Sequence, residues 1–381
     1  LNEKEVAEIR RRFRPDKNSI SALRGCCVNE NGEIVSEFEQ SLLSSPQEEV
    51  ENILTTLKRT LSGGLGKNLI DLEFETQQVV DSEEHKLLMA LRDSALKDEE
   101  ALHAFYQKAA SSLKLGENYL ILLIHDTYDI PYRAGDGQRF DDASTDVYSY
   151  ILCSICPVKM SKPSLSYYMT EQKFHNRKID WLVSRPEVGF LFPAFDDRST
   201  NIYNALYYSR NTAESHAEFV DAVFHCPLPM PAKVQKETFQ SVLEESLGEA
   251  CSYDVVESVH SQIKTMIEEH KESRDEEPLV ISRQTVKRVL SACGVPDEKL
   301  DTFTEKYDAA FGKDAALSPK NIIDDKKFEV STPDITIQVH SDRQDLVETR
   351  VIDGAKCIVI RAEGGVTVNG VTVHIEQQPA D

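Results

Sequence analysis

The run Tyr119-Leu120-Ile121-Leu122-Leu123-Ile124 leads directly into His125-Asp126 and is the longest uninterrupted apolar stretch of the chain. Six residues are too few for a membrane span, which needs roughly 18, and suit a strand buried on both faces. Val147–Ile155 and Val188–Phe195 have the same texture, rich in β-branched and aromatic residues. Together the three predict a buried sheet in the middle of the chain, with long polar connections between its strands.

Working outward, the segments before Tyr119 alternate between helix and strand signals. Asn2 is a candidate N-cap ahead of Val6, Ile9 and Phe13, and Pro15 ends that helix. Leu23–Val28 and Glu33–Phe38 read as strands joined through Asn29-Glu30-Asn31-Gly32. Ser45-Pro46-Gln47-Glu48 reads as a capping box for a helix that stops at Gly63, and Leu69–Phe74 as a further strand. Two helices are expected near Ser82–Arg92 and Asp98–Leu113.

The region beyond the apolar strands is expected to be mostly helical over 201–271, with helices near Pro231–Leu247 and Tyr253–Lys271. An acidic linker, 272–280, precedes a helical pair over 281–327, capped at Ser282 and restarted at Pro296-Asp297. A β-rich tail occupies 328–381, with Asp353-Gly354 and Asn369-Gly370 at turns. The expected fold class is α+β (mixed α/β): a central sheet with helices over residues 1–200, a helical middle section and a small β-rich C-terminal tail.

The 381 residues include 43 Lys+Arg and 65 Asp+Glu, a net charge of −22. The acid is concentrated in 26–118 and 211–381; residues 1–25 are basic and 119–210 nearly neutral. Such a charge excludes a protein that coats nucleic acid indiscriminately, but leaves room for a local cationic site. No apolar stretch follows the basic residues of the N-terminus, so no secretory signal and no membrane partner are expected. Eight irregularly spaced cysteines suit reduced thiols, hence a cytoplasmic location.

Four constellations carry candidate chemistry. The loop Ser62-Gly63-Gly64-Leu65-Gly66-Lys67-Asn68 has a helix before it and a strand after it, the reverse of a phosphate-binding P-loop, and reads as a helix stop and turn. Cys153 and Cys156 have the spacing of a zinc knuckle or redox pair, but on a strand i and i+3 face opposite sides, so two buried thiols are expected. His125-Asp126, with Asp129, Asp141-Asp142 and Asp196-Asp197, lie at predicted strand ends. Converging, they would bind Mg²⁺ or Mn²⁺ and activate water for phosphoester hydrolysis. The alternative is that such acids solvate loops and cap helices, as Asp197 would ahead of a helix over Asn201–Tyr208.

The fourth constellation is the most unusual. Ten of the 13 tyrosines lie between Tyr119 and Tyr208. Within Pro157–Arg185 stand Lys159, Lys162, Lys173, Arg177, Lys178 and Arg185 against only Glu171 and Asp180, interleaved with Tyr167, Tyr168, Phe174, His175 and the single tryptophan, Trp181. Cations beside stacking rings are what a single-stranded nucleic acid or a nucleotide meets; a long loop packing its rings on the sheet is the plainer alternative. The N-terminal arm adds Arg10, Arg11, Arg12 and Arg14, which point around a helix rather than to one side. They are expected to meet the protein's own acidic surface before an anionic ligand.

Four runs carry a resemblance: Asn2 to Pro15, Leu23 to Asn29, Thr60 to Asp71 and Gly189 to Arg198. They resemble an uncharacterised bacterial family, domain of unknown function 4317, over nearly the whole chain. The resemblance implies a bacterial cytoplasmic protein and attaches no activity; Leu1 is read as a literally translated non-AUG start. The order of segments is also similar, by architecture alone, to bacterial nucleoid-associated proteins of about 37 kDa. The leading expectation is a non-enzymatic binding protein for nucleic acid or nucleotide without a cofactor. A metal-dependent phosphoester hydrolase and an oligomeric scaffold joined through the β tail are the alternatives.

Overall fold

The computed structural model describes residues 2–133, 139–140, 146–273, 279–313, 315–362, 364–368 and 371–373. The chain divides into two compact units, Leu1–Val234 and Gln235–Asp381. The fold is α+β, as expected. Asp141-Asp142, the Asn369-Gly370 turn and most of the acidic linker lie outside the described residues.

Seven strands carry the first unit: β1 (Ala22–Val28), β2 (Ile34–Ser41), β3 (Leu69–Glu73), β4 (Tyr119–Ile130), β5 (Asp146–Met160), β6 (Val188–Phe192) and β7 (Asn204–Ser209). They form one sheet in the order β2-β1-β4-β5-β6-β7-β3, antiparallel at every pairing. The decisive apolar run lies in β4, between β1 and β5. Alternation sends Ile121 and Leu123 to one face and Leu122 and Ile124 to the other, and both faces are covered, which is why the run has no polar side.

On one face α4 (Glu83–Asp93), which follows the short helix α3 (Thr76–Asp81), α5 (Glu99–Ser112) and α6 (Ala217–Phe224) bury Leu88, Phe105 and Phe219 against the sheet. On the other, α1 (Glu3–Arg10) and α2 (Gln47–Lys58) bury Ile9 and Leu57. The caps follow the sequence closely. The Asn2 side chain accepts from the Lys4 and Glu5 amides while Glu5 reaches back to the Asn2 amide, and Ser82 and Asp98 cap α4 and α5. The Ser45 capping box does not form: the Ser45 hydroxyl donates to the Ser41 carbonyl, and Pro46 stands at the helix start without a side-chain cap.

One element differs in kind. Residues 201–209, expected as helix, supply β7, and Ala205 to Ser209 are all buried. A short run buried on both faces has neither the helical nor the alternating period, so Asn204-Ala205-Leu206-Tyr207-Tyr208 gives no signal that separates the two. Consequently Asp197 caps no helix. It sits in the left-handed turn Asp197-Arg198 (φ 47° and 52°) between the short strands Ala194–Asp196 and Ser199–Asn201.

The second unit packs α8 (Tyr253–Ser273), α9 (Arg283–Ala292) and α10 (Asp297–Phe311), with α7 (Ala232–Leu247), around Phe239, Ile263, Leu290 and Phe303. Three successive hairpins follow: Lys327–Ser331 with Thr336–His340, Val347–Ile352 with Ala355–Ile360, and Val366–Val368 with Val371–Val373. Among the described residues each strand of these hairpins is paired only within its own hairpin.

Candidate nucleic-acid interface

β5 is 15 residues long and outruns its neighbour: Tyr119, the first residue of β4, pairs with Pro157. From there the chain leaves the sheet as a two-stranded ribbon. Val158–Met160 pairs with Trp181–Val183, the Ser161 amide donates to the Asp180 carbonyl, and the Arg177 amide donates to the Ser164 carbonyl. Leu165–Tyr168 then pairs with Lys173–Asn176 around a turn that places Gln172 at φ 52°. The segment is therefore neither a loop nor packed on the sheet.

The ribbon's side chains remain in solvent. Ten of the protein's exposed large apolar residues fall between Met160 and Val183, among them Tyr167 (53% exposed), Phe174 (69%) and Trp181 (54%). A concentration of this kind marks an interaction surface, since scattered exposed apolar residues are ordinary and clustered ones are not. Tyr167 and Phe174 are direct cross-strand partners with ring centroids 5.1 Å apart. Tyr168 and His175 meet edge to face at the same separation on the opposite side, where Lys173 also lies.

Some cations of the body are held by carboxylates, while others, such as Lys58, Lys67 and Lys97, have none among the described residues. Elsewhere in the first unit, Arg24 pairs with Glu39 and Glu99, Lys108 with Glu84, and Arg210 with Glu187. On the ribbon Lys159 pairs with Glu117 (3.3 Å). Among the described residues, Lys162, Lys173, Arg177, Lys178 and the neighbouring Arg185 have no carboxylate partner. Unpaired cations beside exposed rings are the arrangement a polyanion with flat bases can use.

The N-terminal arginines are arranged otherwise. Arg12 turns inward and makes a two-pronged contact with Asp126 (3.1 and 3.2 Å) while lying 4.9 Å over the Tyr128 ring. Arg14 pairs with Asp16, and Arg10 is half-buried in the last turn of α1, while Arg11 is exposed.

The candidate metal set is not assembled. His125 and Asp126 are consecutive on β4 and face opposite sides of the sheet. Asp126 is fully buried, and besides Arg12 it accepts from the Ser19 amide (2.8 Å), the Ser19 hydroxyl (2.7 Å) and the Tyr150 hydroxyl (2.8 Å). Such a carboxylate is fully engaged in holding the N-terminal segment to the sheet. His125 bonds Ser149 (2.9 Å), and burial lowers its pKa. Asp196 accepts from the Asn201 amide (3.2 Å). Among the described residues no three His, Cys, Asp or Glu side chains are grouped to hold a metal ion.

The remaining motifs resolve as structure. Cys153 and Cys156 belong to the cores on opposite faces of the sheet, and burial raises both thiols, Cys156 to about 12. In the glycine loop Gly63 and Gly66 take left-handed backbone (φ 100° and 70°), and the Asn68 side chain donates to the Ser209 carbonyl at 3.0 Å. Sequence reasoning missed Arg198, which pairs with Glu8 (3.2 Å) and donates to the Pro131 carbonyl. An isolated arginine in a turn carries no signal of such a partner.

Fold and surface together define a class: an α+β protein built on an antiparallel sheet whose central strands are covered on both faces, from which an exposed aromatic and cationic ribbon projects. Among the described residues no helix is long and apolar enough to cross a membrane. The chain belongs to the family described as Domain of unknown function (DUF4317), which matches residues 1–371. That match carries no likeness to the nucleoid-associated proteins. No curated protein matches the chain.

Proposed function

We propose that this protein binds single-stranded nucleic acid along the ribbon Met160–Val183. The observation that carries the reading is the set of unpaired cations, Lys162, Lys173, Arg177 and Lys178, set among exposed Tyr167, Tyr168, Phe174 and Trp181 in a chain with 22 surplus negative charges. Among the described residues none of these four cations has a carboxylate partner, so all remain open to an anion. The ribbon's side chains stand out in solvent, whereas small ligands such as free nucleotides are held in concave pockets, so an extended strand is favoured. Exposed rings stack on bases without regard to sequence, and the flanking cations follow the backbone. The acidic body repels polyanion elsewhere and limits contact to the ribbon.

Fluorescence titration with single-stranded and duplex oligonucleotides across salt tests this. Four to five phosphate contacts predict a slope of log K against log[salt] of about −3 for single strands. Quenching of Trp181, the only tryptophan, reports stacking directly. Absence of binding at low salt, or equal binding after Lys173→Gln, Arg177→Gln and Lys178→Gln together, refutes the reading.

A further inference from the structure

We propose that the cleft between α5 and the β1–β2 edge of the sheet binds a small organic cation, an alkylammonium or alkylguanidinium, on the Glu37 carboxylate and the Tyr106 hydroxyl. The strand register builds one wall. Arg24 pairs with Glu39 and Cys26 with Glu37, and Cys26 belongs to the core on the α5 side, so Arg24, Glu37 and Glu39 project to that side as well. The helix supplies the other wall with Glu99, Leu102 and Tyr106, spaced three and four residues apart and so aligned on one face. These side chains line a cavity of about 220 Å³.

Tyr106 is the residue that calls for a ligand. It is 2% exposed, yet its hydroxyl has no hydrogen-bond partner among the described residues. A buried tyrosine normally finds one. Tyr119, Tyr148 and Tyr150 do so, donating to the Leu113 carbonyl, the Pro193 carbonyl and Asp126. The Tyr106 hydroxyl is also not sealed from solvent, so it opens into the cleft that the residue lines. Burial raises its pKa, which keeps it a neutral phenol able to accept one bond and donate another.

Charge and size select the ligand. Three carboxylates line the cleft against one guanidinium, so an anion is repelled. Arg24 holds Glu39 (3.0 Å) and Glu99, whereas Glu37 meets only His103, through Oε1 at 2.8 Å, and its Oε2 has no partner among the described residues. A metal ion does not fit, because among the described residues no three His, Cys, Asp or Glu side chains are grouped to hold one. The volume equals the share of about seven water molecules and falls below the roughly 300–1,000 Å³ of pockets for drug-sized ligands. The ligand is therefore one charged group on a short carbon stem. Its N–H groups donate to Glu37 and Tyr106 while the stem lies on Leu102.

Calorimetric titration of the full chain at low salt with butylammonium and with methylguanidinium, each to about 20 mM, tests the proposal. At least one cation should bind saturably at a single site, and butyrate, of similar length and opposite charge, should not bind. Glu37→Gln and Tyr106→Phe should each weaken the cation by about tenfold or more, since each removes a hydrogen bond to a charged group. Tyr106→Phe should also leave the unliganded protein at least as stable as the wild type, because the lost hydroxyl had no partner inside the protein. A blocked Gly-Lys-Gly peptide separates the two sources of such a cation. Binding as tight as that of butylammonium assigns the cleft to a protein side chain, and weaker binding assigns it to a free amine. Lack of saturable binding by both cations, equal binding of butyrate, or an affinity indifferent to either substitution overturns the proposal. So does a Tyr106→Phe protein that melts well below the wild type, which would give the hydroxyl a structural partner.

Discussion

Arg12 and Asp126, 114 residues apart in sequence, meet in a two-pronged ion pair whose carboxylate is wholly shielded from solvent. The pair fastens the segment after α1 across the end of the central strand β4. Breaking one side of a buried pair leaves the other charge uncompensated, which costs roughly 3–5 kcal/mol. Arg12→Met and Asp126→Asn should therefore each destabilise the protein by about that amount in denaturant titration, and the double variant by much less than their sum. Additive losses would show that the two side chains act independently.

Gly189 lies on β6 where the backbone passes close to β5. A Cβ there would stand 2.4 Å from the Cys153 carbonyl oxygen and 2.5 Å from the Thr60 methyl. The obstacle on one side is backbone, which cannot rotate away. Gly189→Ala is expected to cost about 1–3 kcal/mol as overpacking, read as a lowered denaturation midpoint. A neutral effect would mean that β5 and β6 can separate locally.

The ribbon should be dispensable for stability. Its side chains are exposed, and surface substitutions away from packed features stay within about 0.5 kcal/mol. Neutralising Lys173, Arg177 and Lys178 to Gln should leave the melting temperature nearly unchanged while weakening oligonucleotide binding. Trp181→Ala should cost about 1–3 kcal/mol of binding if one base stacks there. A large loss of stability in either variant would assign these residues to packing.

His260 reports on the second unit. Burial lowers its pKa from 6.5, while its ring bonds the Asp324 carbonyl and the Gln344 amide, both at 2.9 Å. The unfolded chain therefore takes up this proton first as pH falls. The associated stability is complete above about pH 6.5 and is lost as pH drops through the lower folded value. His260→Gln should flatten the acid side of a plot of unfolding free energy against pH by up to about 1.4 kcal/mol per pH unit. An unchanged slope would place the acid sensitivity elsewhere, with His125 and His216, both also lowered by burial.

The thiols divide by burial. Cys26, Cys153, Cys156 and Cys226 are buried, and Cys27, Cys251, Cys293 and Cys357 are partly open. Burial pushes Cys26 up to about 12, so its thiolate is scarce at neutral pH. Aromatic disulfide reagents at pH 8 should modify the partly open four in the native protein and all eight only in denaturant. Rapid labelling of Cys153 would contradict the packing of β5.

Much of this structure was legible wherever one residue type has one physical use. Asn2, Ser82, Asp98 and Ser282 cap the helices they precede, and the alternation along β5 separates Cys153 from Cys156. What failed depended on partners distant in sequence. The strand Asn204–Ser209 is defined by β3 and β6 on its flanks, and nothing local distinguishes it from a buried helical turn. Asp126 looked like a metal ligand because its three protein partners lie at residues 12, 19 and 150. The composition of 157–185 marked the unusual segment, while its form as a ribbon rests on cross-strand pairs such as Tyr167 with Phe174, which composition cannot encode.

The strand order carries a cost in time. β3 ends at Glu73, but its ladder partner β7 begins at Asn204, so the edge strand is made long before the strand it joins. At about 5–20 residues per second of synthesis, the interval is roughly 7–27 s. Throughout it, Leu69 and Leu72, both buried in the finished protein, must wait on a nascent chain without the ladder that shields them. The acidic residues beside them, Asp71 and Glu73, keep that waiting segment charged until its ladder partner has been made.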